Sequence, residues 1–135
     1  MLDDFDNMEE FLNRYGLTVV EGDDIGLTLK EGDELKPRAC LKQGESEIHC
    51  TVMRRRAVEY RGVRSLADGF YMLANQNNIL GKFPDFAYII LSGTLLLGSD
   101  GKLYMAYLFV DGDRWNVQRL EFERGYVMDD FFPCN

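Results

Sequence analysis

Histidine and cysteine are scarce in this 135-residue chain, and what is missing narrows the field first. One histidine, His49, leaves few ways to assemble a zinc site from the usual Cys and His ligands. The three cysteines, Cys40, Cys50 and Cys134, form neither an even disulfide set nor a CxxC pair, which points to reduced thiols in a reducing compartment. The first dozen residues, MLDDFDNMEEFL, lack the basic start and unbroken apolar run of a secretory signal. The longest apolar stretch, 86–97, is too short for a membrane span and is interrupted by Ser92 and Gly93. The expectation is a cytoplasmic protein that engages no membrane. No composition shift or linker divides the chain, so residues 1–135 are read as a single domain. Its apolar fraction of 46% suffices for one core without disulfide or metal.

What the chain has in excess is negative charge, and that charge is unevenly placed. The net value is −8. Residues 1–34 hold eleven acids against Arg14 and Lys30, whereas residues 35–64 hold eight bases against Glu45, Glu47 and Glu59. Five of those bases, Arg54, Arg55, Arg56, Arg61 and Arg64, fall within eleven residues. A segregated field of this kind steers association without deciding the fold.

Hydrophobic periodicity supplies the elements. Residues 3–15 read as an amphipathic helix, with Asp3 or Asp6 as N-cap, Phe5, Met8, Phe11 or Leu12 and Tyr15 on one face, and Gly16 as the stop. A ten-residue echo, LTVVEGDDI then LTLKEGDEL, suggests two strands each followed by an acidic glycine turn. Alternation over 38–43 and 46–53 suggests a hairpin about Gly44-Glu45, pairing Leu41 with Ile48 and Ala39 with Cys50 and setting Cys40 opposite His49. Residues 64–78 read as a second helix, with Ser65 and Asp68 resembling a capping box and Gly69 marking a place where the sheet comes close. After Pro84 the pattern becomes a meander: a strand over 86–97 bulged near Ser92-Gly93, a second over 103–110, and a third over 114–123 bulged near Gln118-Arg119. Residues 126–132 add an edge strand or a docked tail. The fold class is α+β, a mostly antiparallel sheet of six or seven strands with two helices on one face, or alternatively a strongly curved sheet or half-open barrel around the second helix.

Chemistry-bearing patterns are few. Gly98-Ser99-Asp100-Gly101-Lys102 lacks the spacing of a phosphate loop, and Asp111-Gly112-Asp113 has the composition of a tight turn. The acid pairs Glu121/Glu123 and Asp129/Asp130 are not distinguished from the other acids. Cys40 with His49 is the one thiol–imidazole pair that could yield an activated thiolate. The five clustered arginines offer an anion site, or alternatively pair with the acidic N-terminal third. The overall negative charge argues against nucleic acid. No metal, cofactor or catalytic residue is assigned, and enzymatic activity is left open with the balance against it.

Three function classes follow. The leading one is a small acidic protein-binding module (an inhibitor, immunity-type or chaperone-like protein) engaging a basic partner through Asp23, Asp24, Asp33 and Glu34. The second is a small-molecule-binding domain or enzyme with a pocket on a curved sheet lined by Tyr88, Tyr104, Tyr107 and Trp115. The third is a structural subunit of a homo-oligomer.

Overall fold

The computed structural model describes residues 5–22, 26–122 and 129–135. In chain order these form helix α1 (Met8–Tyr15), strands β1 (Leu17–Glu21) and β2 (Lys36–Ala39), then helices α2 (Cys50–Glu59), α3 (Leu66–Ala74) and α4 (Gln76–Ile79). A 3-10 turn at Leu80–Lys82 leads to strands β3 (Tyr88–Gly98), β4 (Leu103–Asp111), β5 (Arg114–Glu121) and β6 (Asp130–Cys134). The class is α+β, with a six-stranded, mostly antiparallel sheet that does not close into a barrel.

Local chemistry explains most of the boundaries. Asn7 caps α1 by accepting from the Glu10 amide at 2.9 Å, and Gly16 ends the helix in the left-handed conformation (φ 62°). Asp3 lies outside the described residues, and Asp6 is not the cap. Ser65 caps α3 by accepting from the Asp68 amide at 3.1 Å. The reciprocal half of the expected box is not made, because the Asp68 side chain turns elsewhere. Gly69 does mark a close approach, since a Cβ there would collide with the Leu91 side chain of β3.

The meander β3–β4–β5 forms with tight turns at Gly101 (φ 83°) and Gly112 (φ 73°). Its register breaks in β3 between Leu91 and Leu96, around Ser92 and Gly93. The bulge expected near Gln118-Arg119 is absent: β4 and β5 pair continuously from Tyr104↔Glu121 to Asp111↔Arg114. Apolar residues change parity along β5 because both faces of the sheet are covered. Ile89, Leu91, Ala106, Leu108, Trp115 and Val117 join one core with Phe11 of α1, Leu66 and Met72 of α3 and Ile79 of α4. Ile90, Leu95, Met105 and Leu120 join a second core with Cys50, Met53 and Ala57 of α2. Helices therefore lie on both faces, four where two were expected.

The hairpin expected over 38–53 is replaced by β2 and α2. β2 pairs with β6 (Arg38↔Phe132), and residues 50–59 are helical. Cys50, Met53 and Ala57, at helical spacing, form the buried face of α2. Three alternating apolar residues fit either period, and the core decides for the helix. The ten-residue echo is half strand: its first copy supplies β1, whereas the second forms no strand. Gly22 and Gly32, the glycines of the two copies, both stand at φ 93°.

Candidate functional site

β3 shares one edge between two partners. Tyr88 and Ile89 pair with β6, and Leu95 to Gly98 pair with β1. In the gap the chain crosses itself: the Gly93 amide donates to the Arg64 carbonyl at 2.8 Å, and Thr94 Oγ1 accepts from the Leu66 amide at 2.8 Å. Gly22 lies on the same spot, so close that a Cβ there would overlap the Gly93 carbonyl. A Cβ on Gly93 would stand 2.8 Å from the Arg64 carbonyl oxygen. With no side chains filling this corner, a cleft of about 490 Å³ opens between the sheet edge and α2, lined by Glu21, Gly22, Arg54, Arg55, Val58, Val63, Ser92 and Gly93.

The five clustered arginines do not act together. Arg54, Arg55 and Arg56 occupy successive helical positions and so diverge by about 100° each. Arg54 bonds Glu21 at 2.6 Å, an ion pair to the acidic N-terminal third. Arg55 lines the cleft, exposed. Arg56 is buried and holds Glu45 through two bonds of 2.6 and 2.7 Å, donating also to the Cys40 carbonyl at 2.9 Å. That guanidinium holds the Glu45 carboxyl down at about 2. Arg61 is exposed in the left-handed region (φ 57°), and buried Arg64 bonds Asn135 and Thr28. Two of the five therefore face the cleft, and Arg56 and Arg64 are structural.

The thiol and imidazole expected to face each other are separated. His49 caps α2, its Nδ1 accepting from the Thr51 amide at 3.2 Å and lying 3.4 Å from Cys50 Sγ rather than near Cys40. Cys40 is fully buried, and burial, with the negative charges of Asp130 and Cys134, pushes its thiol far above the usual range despite Arg56 nearby. Burial also raises Cys134. Neither carries the depressed pKa of a nucleophile.

Of the acids proposed for partner binding, Asp23 and Asp24 lie outside the described residues. Asp33 accepts from the Lys30 amide at 2.9 Å, and Glu34 meets Lys82 at 3.3 Å. Glu123 also lies outside the described residues. The aromatic pocket lining divides: Trp115 is core and Tyr104 packs on the α1/α3 face, whereas Tyr88 and Tyr107 meet on the α2 face with ring centroids 5.3 Å apart.

That pair belongs to a larger surface. Tyr107 packs on Phe109 at 5.7 Å, and Phe109 joins neither core. At the same end of the sheet Phe86, 58% exposed, packs on Phe131 at 6.3 Å, but Phe131 belongs to the opposite face, against the α1/α3 core. Four aspartates belong to the same end of the sheet. Asp85 precedes Phe86, Asp111 continues the β4 face of Tyr107 and Phe109, Asp113 is in the β4–β5 turn, and the Asp129 carbonyl accepts from the Tyr88 amide at 2.8 Å. No protein family, curated protein or solved structure matches the chain. Among the described residues no helix is long and apolar enough to cross a membrane, and no three His, Cys, Asp or Glu side chains gather as metal ligands.

Sequence reasoning missed Asp68. Its buried carboxylate reaches forty residues back along the chain, accepting from the Thr28 amide at 2.7 Å, the Thr28 hydroxyl at 2.6 Å and the Leu29 amide at 3.1 Å. Its position two residues after the start of α3 was visible, but its partners were not.

Proposed function

We propose that this domain is a binding module for a basic protein partner, which docks on the aromatic end of the sheet. One observation carries the reading: the ring chain Tyr88–Tyr107–Phe109 crosses β3 and β4 at the surface, with Tyr88 37% exposed. Tyrosine and phenylalanine concentrate at the centres of protein interfaces, where a few desolvated rings supply most of the binding energy. The surrounding charge specifies the partner. Asp85, Asp111, Asp113 and Asp129 make no side-chain hydrogen bond or ion pair among the described residues, and Arg114 is the base in that turn. A partner presenting Lys or Arg around an apolar anchor satisfies both parts. The net charge of −8, including the acidic N-terminal third, speeds its approach. A reducing compartment such as the cytoplasm fits three free, buried thiols.

Photo-crosslinking in the native host tests the reading, with the crosslinker at Phe109 and, as control, at exposed Val20. A basic species should be captured from position 109 only. Its binding should weaken steeply between about 0.01 and 0.1 M salt as the screening length shrinks from about 30 to about 10 Å. Tyr88→Ala, or Asp85→Lys with Asp111→Lys, should abolish capture without lowering the melting temperature. Crosslinks between copies of this chain would favour the homo-oligomer instead, and equal yield at Val20 or salt-independent capture would overturn the proposal.

A further inference from the structure

The cleft beside α2 has features the docking surface does not use. Its floor holds Ser92, only 3% exposed, whose hydroxyl has no hydrogen-bond partner among the described residues. A buried hydroxyl left unpaired costs roughly 1–3 kcal/mol, and because its oxygen has almost no open surface, a ligand atom satisfies it only as the cleft widens slightly on binding. On one wall Arg55 makes no hydrogen bond or ion pair among the described residues, and beside it Arg54 is held in place by Glu21. Apolar surface adjoins them: Val58, 68% exposed, lies one turn on from Arg54 and Arg55 along α2, and Val63 is half-buried. Two guanidiniums against one carboxylate make the cleft a positive island on a chain of net charge −8. The volume, about 490 Å³, falls within the range of small-molecule sites.

We infer that the cleft binds a small molecule with an oxyanion head and a short apolar body. Arg55 and Arg54 take the carboxylate or phosphate oxygens, Ser92 donates its hydroxyl hydrogen to the same head, and Val58 and Val63 cover the body. Guanidinium geometry matches both kinds of oxyanion, so the head group is a matter for experiment. This site is independent of the aromatic docking surface, and either could exist without the other.

Titration of the intact protein with hexanoate and, separately, with inorganic phosphate, followed by amide chemical shifts, tests the inference. At least one probe should saturate below about 10 mM, with the largest shifts at Gly22, Ser92 and Gly93. Saturation by hexanoate alone assigns a carboxylate ligand and by phosphate alone a phosphorylated one. Arg55→Ala should weaken binding about ten-fold or more, the value of one charge-assisted hydrogen bond, whereas Lys36→Ala, an exposed base outside the cleft, should not. Ser92→Ala should also weaken binding while leaving melting unchanged or raised, because it removes an unsatisfied hydroxyl. If neither probe saturates, or if the shifts survive Arg55→Ala, the inference is wrong.

Discussion

Removing the Asp68 carboxylate should detach residues 26–35 from α3 without unfolding the sheet. The three hydrogen bonds it accepts all come from Thr28 and Leu29, and two of them are backbone amides in a segment outside the strand ladder. Bonds to a charged acceptor contribute about 1.5–3 kcal/mol each when removed singly, but the three share one anchor and do not add. Once the segment lifts, its amides find water, so the loss is bounded by what the segment itself contributes, chiefly the burial of Leu29 and Leu35. About 3 kcal/mol is therefore expected for Asp68→Ala, equivalent to a melting decrease of about 10 °C in a chain of 135 residues. Asp68→Asn is the discriminating variant. Oδ1 receives both amides and Oδ2 receives the hydroxyl. An asparagine can keep its carbonyl on the amides and turn its NH₂ to the Thr28 hydroxyl, which then accepts. Only charge assistance is lost, about 1 kcal/mol. Hydrogen exchange supplies the local readout: Thr28 and Leu29 should lose protection in Asp68→Ala and keep most of it in Asp68→Asn, with β4 amides unchanged in both. A cost below about 1 kcal/mol for Asp68→Ala, or loss of β4 protection along with the segment, would refute this reasoning.

Four further outcomes are expected. Gly22→Ala should cost about 3 kcal/mol or more, because its φ of 93° and its overlap with the Gly93 carbonyl act together. Gly44→Ala, at φ 89° in open space, should cost only about 1 kcal/mol, and equal melting of the two variants would show that the crossing is not tight. The Glu45–Arg56 pair should make stability pH-dependent: the folded carboxyl is held at about 2 against an ordinary 4.5, so its contribution is full above about 4.5 and fades as pH falls towards 2. Acid titration of melting should accordingly be shallower in Glu45→Gln than in the native protein, and parallel curves would contradict the pairing. All three cysteines should react slowly with thiol reagents until the protein opens, Cys40 included, and fast native labelling at Cys40 would show that it is not buried. Finally, the outer edge of β5 is blocked by side-chain amides. Gln76 bonds both the amide and the carbonyl of Trp115, Asn116 receives the Val117 amide, and Gln118 receives the Arg119 amide. Replacing Gln76, Asn116 and Gln118 by Ala should expose a strand edge and promote self-association by light scattering, and a persistently monodisperse variant would argue against that role.

The sequence shows the parts of this fold that repeat a local rule over many residues. Strands β3, β4 and β5 could be read because each carries eight or more residues, and α3 because its start is set locally by the Ser65 cap. Residues 48–52 fit a strand because His49 and Cys50 satisfy strand alternation as well as a helix start, and only Met53 and Ala57, joining Ile90 and Met105 in one core, break the tie. The site was harder still. Arg54, Arg55 and Arg56 are one cluster on paper, but helix geometry sends them to Glu21, the cleft and Glu45. Ser92 was legible as a bulge, whereas its missing partner is a property of three segments, 22, 64 and 93, meeting far from one another in sequence.

Both candidate surfaces lie on the α2 side of the sheet, and lengths explain why. Ten helical residues span about 15 Å, whereas the eleven residues of β3 extend about 36 Å, so α2 cannot cover the face that β3 and β4 present to it. The opposite face has α1, α3 and α4 packed against it. On the α2 side the covered stretch of β3 and β4 is aliphatic or thioether, with Ile90, Leu95 and Met105 fully or nearly buried. Beyond it the same face changes to Tyr88 and Tyr107. A tyrosine ring tolerates half-exposure because its apolar body packs on a neighbour while its hydroxyl reaches water. Leucine at 88 and 107 would leave apolar surface with no polar end to satisfy. The switch from aliphatic to phenolic side chains along one face therefore marks where helix cover stops, and that boundary is where a partner can add what α2 does not.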